Sequence, residues 1–226
     1  MENPWIQLPK GPPFILPCDK KLIDVFNGRQ HNTPFEIILN EIPSPYIGSP
    51  EAPIVLLNLN PCYSSDESNH PEIARFREIA RANLLHKFYE YPFYVFDPKL
   101  KGTPSGYKWF CQKFGPLVCA TGMSYQEISK KLFLVEYFPY KSLRCSPKWK
   151  QGILPSQKYA ISLIEKAIAR KAIIIIMRSE RLWFDALPIL KEYSNCYTLH
   201  NPQNVSISEN NLGVGGFRVM LGNLRK

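Results

Sequence analysis

Ala172-Ile173-Ile174-Ile175-Ile176-Met177 is an unbroken apolar run, and its four consecutive isoleucines decide the fold class. The run is too short for a typical helix, and β-branched side chains favour extended backbone. A strand that shows no apolar/polar alternation is one covered on both faces, as in parallel sheets flanked by helices.

Working outward, three further apolar runs read as strands: Ile54 to Leu59, Leu132 to Phe138 and Cys196 to Leu199. Helical patterns lie between them, at Pro71 to Glu90, Ser124 to Lys131, Ser156 to Lys171 and Ser179 to Tyr193. The second of these opens on a capping box, with Ser124 three residues before Glu127. A last helix is expected within Gly216 to Leu224. Alternation of strand and helix predicts an α/β fold: a three-layer α/β/α arrangement around a central, mainly parallel, four-stranded sheet.

Residues 1–50 contain nine prolines, which predicts extended chain with one short helix near Asp19 to Phe26, wrapped around the domain. With 226 residues and 45% hydrophobic composition, the chain is expected to form one domain spanning 1–226. No apolar run is long enough to span a bilayer, and Met1 to Pro17 is too broken by proline for a signal-peptide core. A soluble, cytoplasmic protein is expected.

Cys18, Cys62, Cys111, Cys119, Cys145 and Cys196 form no CxxC pair and read as reduced thiols. With four histidines there is no zinc-finger spacing, so neither a metal nor a cofactor is expected. Lys and Arg outnumber Asp and Glu by 28 to 19, a formal charge of +9, which favours a polyanionic partner, nucleic acid first. Nothing in the sequence points to a membrane or to an obligate protein partner.

In open parallel sheets ligands bind beyond the carboxyl ends of the strands. There the chain carries Asn58 to Tyr63, Glu136 to Tyr140, Arg178, and His200-Asn201-Pro202. The stretch NLNPCYS at 58–64 resembles the first motif, G-[MI]-N-P-G, of the single-strand-selective and mismatch-specific branch of the uracil-DNA glycosylase superfamily. Asn60 and Pro61 match its Asn and Pro, while Asn58 and Cys62 replace its glycines. The resemblance implies that Asn60 holds the water that attacks the sugar, with Asn58, Pro61, Cys62 and Tyr63 shaping the pocket wall. Read without it, Asn60-Pro61 is a turn after a strand.

FLVEYFPY at 133–140 resembles the family segment in which an Asn reads the base edge, and Glu136 stands at that Asn position. A carboxylate has only acceptors and repels uracil O4, whereas cytosine offers its N4 amino group, and a protonated carboxyl can also donate to N3. The inferred target is a cytosine-type base, and a modified one, because removing ordinary cytosine would destroy the host genome. The alternative for Glu136 is an ion pair with Arg144, Lys141 or another base near the strand end.

LHNPQNVS at 199–206 resembles the family loop whose His stabilises negative charge on the leaving base, a role that falls to His200. Asn204 or Val205 then fills the gap left in the duplex. Phe96, or after it Tyr94, is expected to stack under the flipped base. Lys141, Arg144, Lys148, Lys150, Arg178, Arg218, Arg225 and Lys226 are candidates for phosphate contacts. The function implied is a monofunctional DNA glycosylase acting on single- or double-stranded DNA, in antiviral defence or in repair. The alternatives are a uracil or mismatched-pyrimidine repair glycosylase and a non-catalytic DNA-binding relative.

Overall fold

The computed structural model describes residues 1–63, 71–146 and 154–225. Ser64, Lys148, Lys150 and Lys226 lie outside the described residues. In chain order the elements are α1 (Lys20–Gln30), β1 (Ile37–Ile38), β2 (Tyr46–Gly48), β3 (Ile54–Asn58), α2 (Ile73–Leu84), α3 (Tyr107–Thr121) and α4 (Tyr125–Ser129). After these come β4 (Leu132–Glu136), β5 (Lys141–Ser142), α5 (Gln157–Ala169), β6 (Ile173–Ile176), α6 (Glu180–Ala186), β7 (Cys196–Thr198), α7 (Glu209–Leu212) and α8 (Val214–Leu224).

The isoleucine run forms β6, and all of its side chains are buried. β6 pairs in parallel with β3 on one side and β7 on the other, and β3 pairs in parallel with β4. The main sheet has the order β2-β4-β3-β6-β7, with helices around it, so the fold is α/β. It has five strands where four were expected. The extra one, β2, is antiparallel to β4 at the sheet edge and lies in the proline-rich segment expected to be extended chain without a place in the sheet.

Gly48 is what lets β2 approach β4 so closely. Its φ is +97°, and a Cβ there would stand 2.3 Å from the Leu132 carbonyl oxygen. Only glycine fits both the backbone conformation and the space.

The N-terminal segment contributes Trp5, Leu8, Phe14, Ile15 and Leu16 to the same hydrophobic cluster as the strands. Its polar groups are tied down as well: Asn3 Nδ2 donates to the Leu84 carbonyl at 2.7 Å, and the Leu16 N–H donates to Tyr140 Oη at 3.2 Å.

Two helices end earlier than expected, and one was not expected. The helix expected over 71–90 ends at Leu84, and His86 then takes a φ of +55° that turns the chain away. The one expected over 179–193 stops at Ala186, because Pro188 has no N–H to continue it, and a short 3-10 turn follows. The sequence reading missed α3 altogether. Pro116 lies inside it, and a proline breaks the pattern by which a helix is recognised.

Candidate active site

β3 and β4 run parallel and in register, with Asn58 opposite Glu136 as the last pair. Both side chains are therefore delivered to the carboxyl edge of the sheet. There the Asn58 Nδ2 donates to Glu136 Oε1 at 3.0 Å, with the two residues 7% and 4% exposed. The Asn58 carbonyl is held by the Trp183 Nε1–H at 3.0 Å and the Tyr137 N–H at 3.1 Å, which fixes the strand end.

This pair leaves two buried oxygens unused: Oδ1 of Asn58 and Oε2 of Glu136 have no hydrogen-bond partner. Burial pushes the Glu136 carboxyl up to about 8, against the opposing pull of the Asn58 hydrogen bond and the Arg178 charge. The carboxyl is bonded by Asn58 rather than by Arg144 or Lys141.

Asn58 and Glu136 lie on the wall of a cavity of about 370 Å³, within the roughly 300–1,000 Å³ range of small-molecule pockets. Asn60, Pro61, Cys62 and Tyr63 form another part of the wall. The loop is held against β5 by a bridge between Cys62 and Ser142 and by the Tyr63 N–H donating to the Ser142 carbonyl at 3.3 Å. Asn60 Nδ2 donates to the Pro61 carbonyl at 3.3 Å and to Ser142 Oγ at 3.4 Å. Both bonds use the amide nitrogen, which orients the amide while Oδ1 takes no part in either.

Aromatic rings make up much of the remaining wall. Phe76 and Tyr94 meet edge to face, their centroids 6.1 Å apart, and Trp109 stands edge-on to Phe110 at 4.8 Å. Burial raises the Tyr94 hydroxyl to about 12, so it stays protonated at neutral pH. Trp109, Phe110 and Phe76 were not singled out in the sequence. The first two are brought to the cavity by α3, and the WF dipeptide was the available signal.

Several expected site residues are placed elsewhere. Phe96 does not line the cavity: it is 1% exposed and packs against Phe93, Phe114 and Tyr125 in the core, where no base can reach it. Val205 is fully buried, so it cannot act as a wedge in DNA. Asn204 is exposed, and its Oδ1 accepts from Lys113 Nζ at 2.8 Å.

His200 does not line the cavity either. It is exposed, with Nδ1 3.2 Å from the Asn210 carbonyl and its ring against Gly213 at the start of α8. Its main chain follows β7 and is tied to α7, where the His200 N–H donates to the Asn211 carbonyl at 2.8 Å.

The cations separate into two groups. Lys141 is buried in the cavity wall, its ammonium 5.3 Å from the centre of the Phe76 ring, so it does not track phosphates on the surface. Arg178 lines the cavity and also an adjoining shallow depression formed with Pro202 and Gln203. Arg144, Arg218 and Arg225 are exposed.

Among the described residues no cluster of three or more His, Cys, Asp or Glu side chains is placed to hold a metal ion. None of the described helices is long and apolar enough to cross a membrane. Among the described residues the cavity combines stacking surfaces, two unpartnered oxygens, two cations and an oriented amide. Such a set can hold a planar heterocycle by its edge and place a water beside it.

No family model, curated protein or solved structure matches the chain. Fold and site together define an α/β protein with an aromatic-walled cavity whose polar edge lies at the carboxyl ends of parallel strands.

Proposed function

We propose that the protein is a monofunctional DNA glycosylase that hydrolyses the N-glycosidic bond of a flipped, modified cytosine-type base and leaves an abasic site. The observation that carries this reading is the Asn58–Glu136 pair with its two unpartnered oxygens on the wall that also bears Asn60. A buried polar atom without a partner costs about 1–3 kcal/mol, and a ligand recovers it by supplying the matching group, a donor for Asn58 Oδ1 and an acceptor for the protonated Glu136 Oε2.

A cytosine edge suits the pair. Its N4 amino group donates to Asn58 Oδ1, and the protonated Glu136 donates from Oε2 to N3. In the same pose uracil sets its O4 against Asn58 Oδ1, acceptor against acceptor. With a carboxyl raised to about 8, Glu136 is mostly protonated at neutral pH, as this pairing requires.

The aromatic walls supply a stacking surface for an extruded base. Asn60 orients the attacking water through its Oδ1, a task of placement because the sugar develops its own positive charge. The cavity of about 370 Å³ has more room than a bare pyrimidine ring fills, which favours a base carrying a substituent. A host protected from the enzyme by lacking that substituent could use it against viral DNA that carries it.

A second reading, a non-catalytic DNA-binding relative, draws on the position of His200 outside the cavity. One experiment separates the two. Base release is measured from single-stranded and duplex DNA containing cytosine, hydroxymethylcytosine, glucosylated hydroxymethylcytosine or uracil. Release of a modified cytosine, lost in Asn60→Ala while DNA binding persists, supports the glycosylase; binding without release from any substrate leaves the binding module.

A further inference from the structure

With His200 outside the cavity lining, the reaction needs another group to meet the negative charge that leaves with the base. Among the described residues two cations line the cavity, and they differ in how they are engaged. Lys141 lies over the Phe76 ring, whereas the Nε–H of Arg178 is buried and has no hydrogen-bond partner. A buried donor left unpaired on a cavity wall is a group waiting for an acceptor.

The position of Arg178 is set by the sheet. It follows β6, the strand beside β3, and the N–H groups of Met177 and Arg178 both reach the Leu57 carbonyl, at 2.8 Å and 3.4 Å. Ser179, the next residue, has a φ of +58°, a left-handed conformation that non-glycine residues seldom adopt and that often marks functional sites. The chain turns sharply there, and Arg178 is left lining the cavity together with Asn58, Asn60 and Glu136.

We infer that Arg178, and not His200, is the catalytic cation that stabilises the departing base. The inference rests on the glycosylase reading and adds a residue to it. In the reaction the bond from C1′ to the base nitrogen breaks, and its electron pair goes to the base. Water bonds to C1′ through its oxygen, and the water's proton ends on the departed base. Between these events the base carries a negative charge, delocalised onto its exocyclic oxygen. A guanidinium N–H on the cavity wall stabilises that charge more than it stabilises the neutral bound base.

This role predicts a readout that phosphate binding or structural support does not move. Single-turnover base release is measured for DNA substrates whose target base carries 5-substituents of graded electron withdrawal, with wild-type protein, Arg178→Met and Arg178→Lys. Thermal melting of each variant identifies the folded ones, and Arg178→Lys retains a charge where Arg178→Met has none. The expected result is a rate loss in Arg178→Met of about 10²–10³-fold for the poorest leaving group, shrinking as the leaving group improves. Arg178→Lys recovers part of it, and DNA affinity changes little.

A loss of equal size across the series, or one confined to DNA affinity and its salt dependence, overturns the role. So does a leaving-group-dependent loss in His200→Ala with none in Arg178→Met. If wild-type protein releases no base from any substrate, the glycosylase reading itself fails, and this inference with it.

Discussion

The Asn58 amide donates to one oxygen of Glu136 at 3.0 Å and leaves the other oxygen, like its own carbonyl, buried and unpaired. Two parallel strands in register produce this relationship, since they bring residues far apart in sequence to one edge as neighbours. It supplies most of the chemistry that can be tested.

Recognition of the base edge depends on both members. Asn58→Ala removes one acceptor and the donor that orients Glu136. A fall in kcat/KM of roughly 10–100-fold is expected for a modified cytosine substrate, the size of one or two buried hydrogen bonds. Glu136→Asn loses that substrate and reduces discrimination against uracil, as measured by competition between labelled oligonucleotides.

Stability should depend on pH through Glu136. Its carboxyl ordinarily titrates near 4.5 and is raised to about 8 by burial, with Asn58 and Arg178 opposing the shift. Below 4.5 the group is neutral in both the folded and the unfolded chain. As pH rises towards 8 only the unfolded chain gains from ionisation, so its contribution to stability is lost across that window and is constant above it. Urea unfolding at a series of pH values should show this decline, on the order of a few kcal/mol, and Glu136→Gln should flatten it.

Placement of the water is a separate function. Asn60→Ala should lower single-turnover base release by about 10²–10⁴-fold, yet hold DNA as tightly as wild type in a fluorescence anisotropy titration. Equal losses in both assays would make Asn60 a structural residue of the loop.

Two glycines offer a test of the fold itself. Gly48→Ala forces a Cβ against the Leu132 carbonyl at a φ of +97° and should destabilise the protein by about 1–3 kcal/mol. Gly28→Ala, on an exposed part of α1 with nothing within 4 Å, should stabilise it by about 0.5–1 kcal/mol. Denaturant midpoints of the two variants should move in opposite directions.

Much of the architecture was legible because its causes are local. Four adjacent isoleucines cannot alternate between core and solvent, so β6 had to lie in a sheet covered on both faces. The capping box of Ser124 and Glu127 forms within one turn, and it is present as read. Once the strands were known to be parallel, Asn58, Asn60, Glu136 and Arg178 had to gather at one edge, and all four line the cavity.

Tertiary packing decided the rest. β2 has only three residues and exists because it pairs with β4 more than eighty residues away, an interaction with no local signature. Phe96 and Trp109 are both aromatic residues near the site, but the first is enclosed by Phe93, Phe114 and Tyr125 while the second reaches the cavity from a helix concealed by Pro116. His200 stands after the expected strand, yet its ring lies against α7 at the Asn210 carbonyl and does not line the cavity. Sequence determined which residues arrive at the carboxyl edge, because strand order and period are local; which way each ring points was left to the packing of distant elements, because side-chain direction follows from the neighbours available to enclose it.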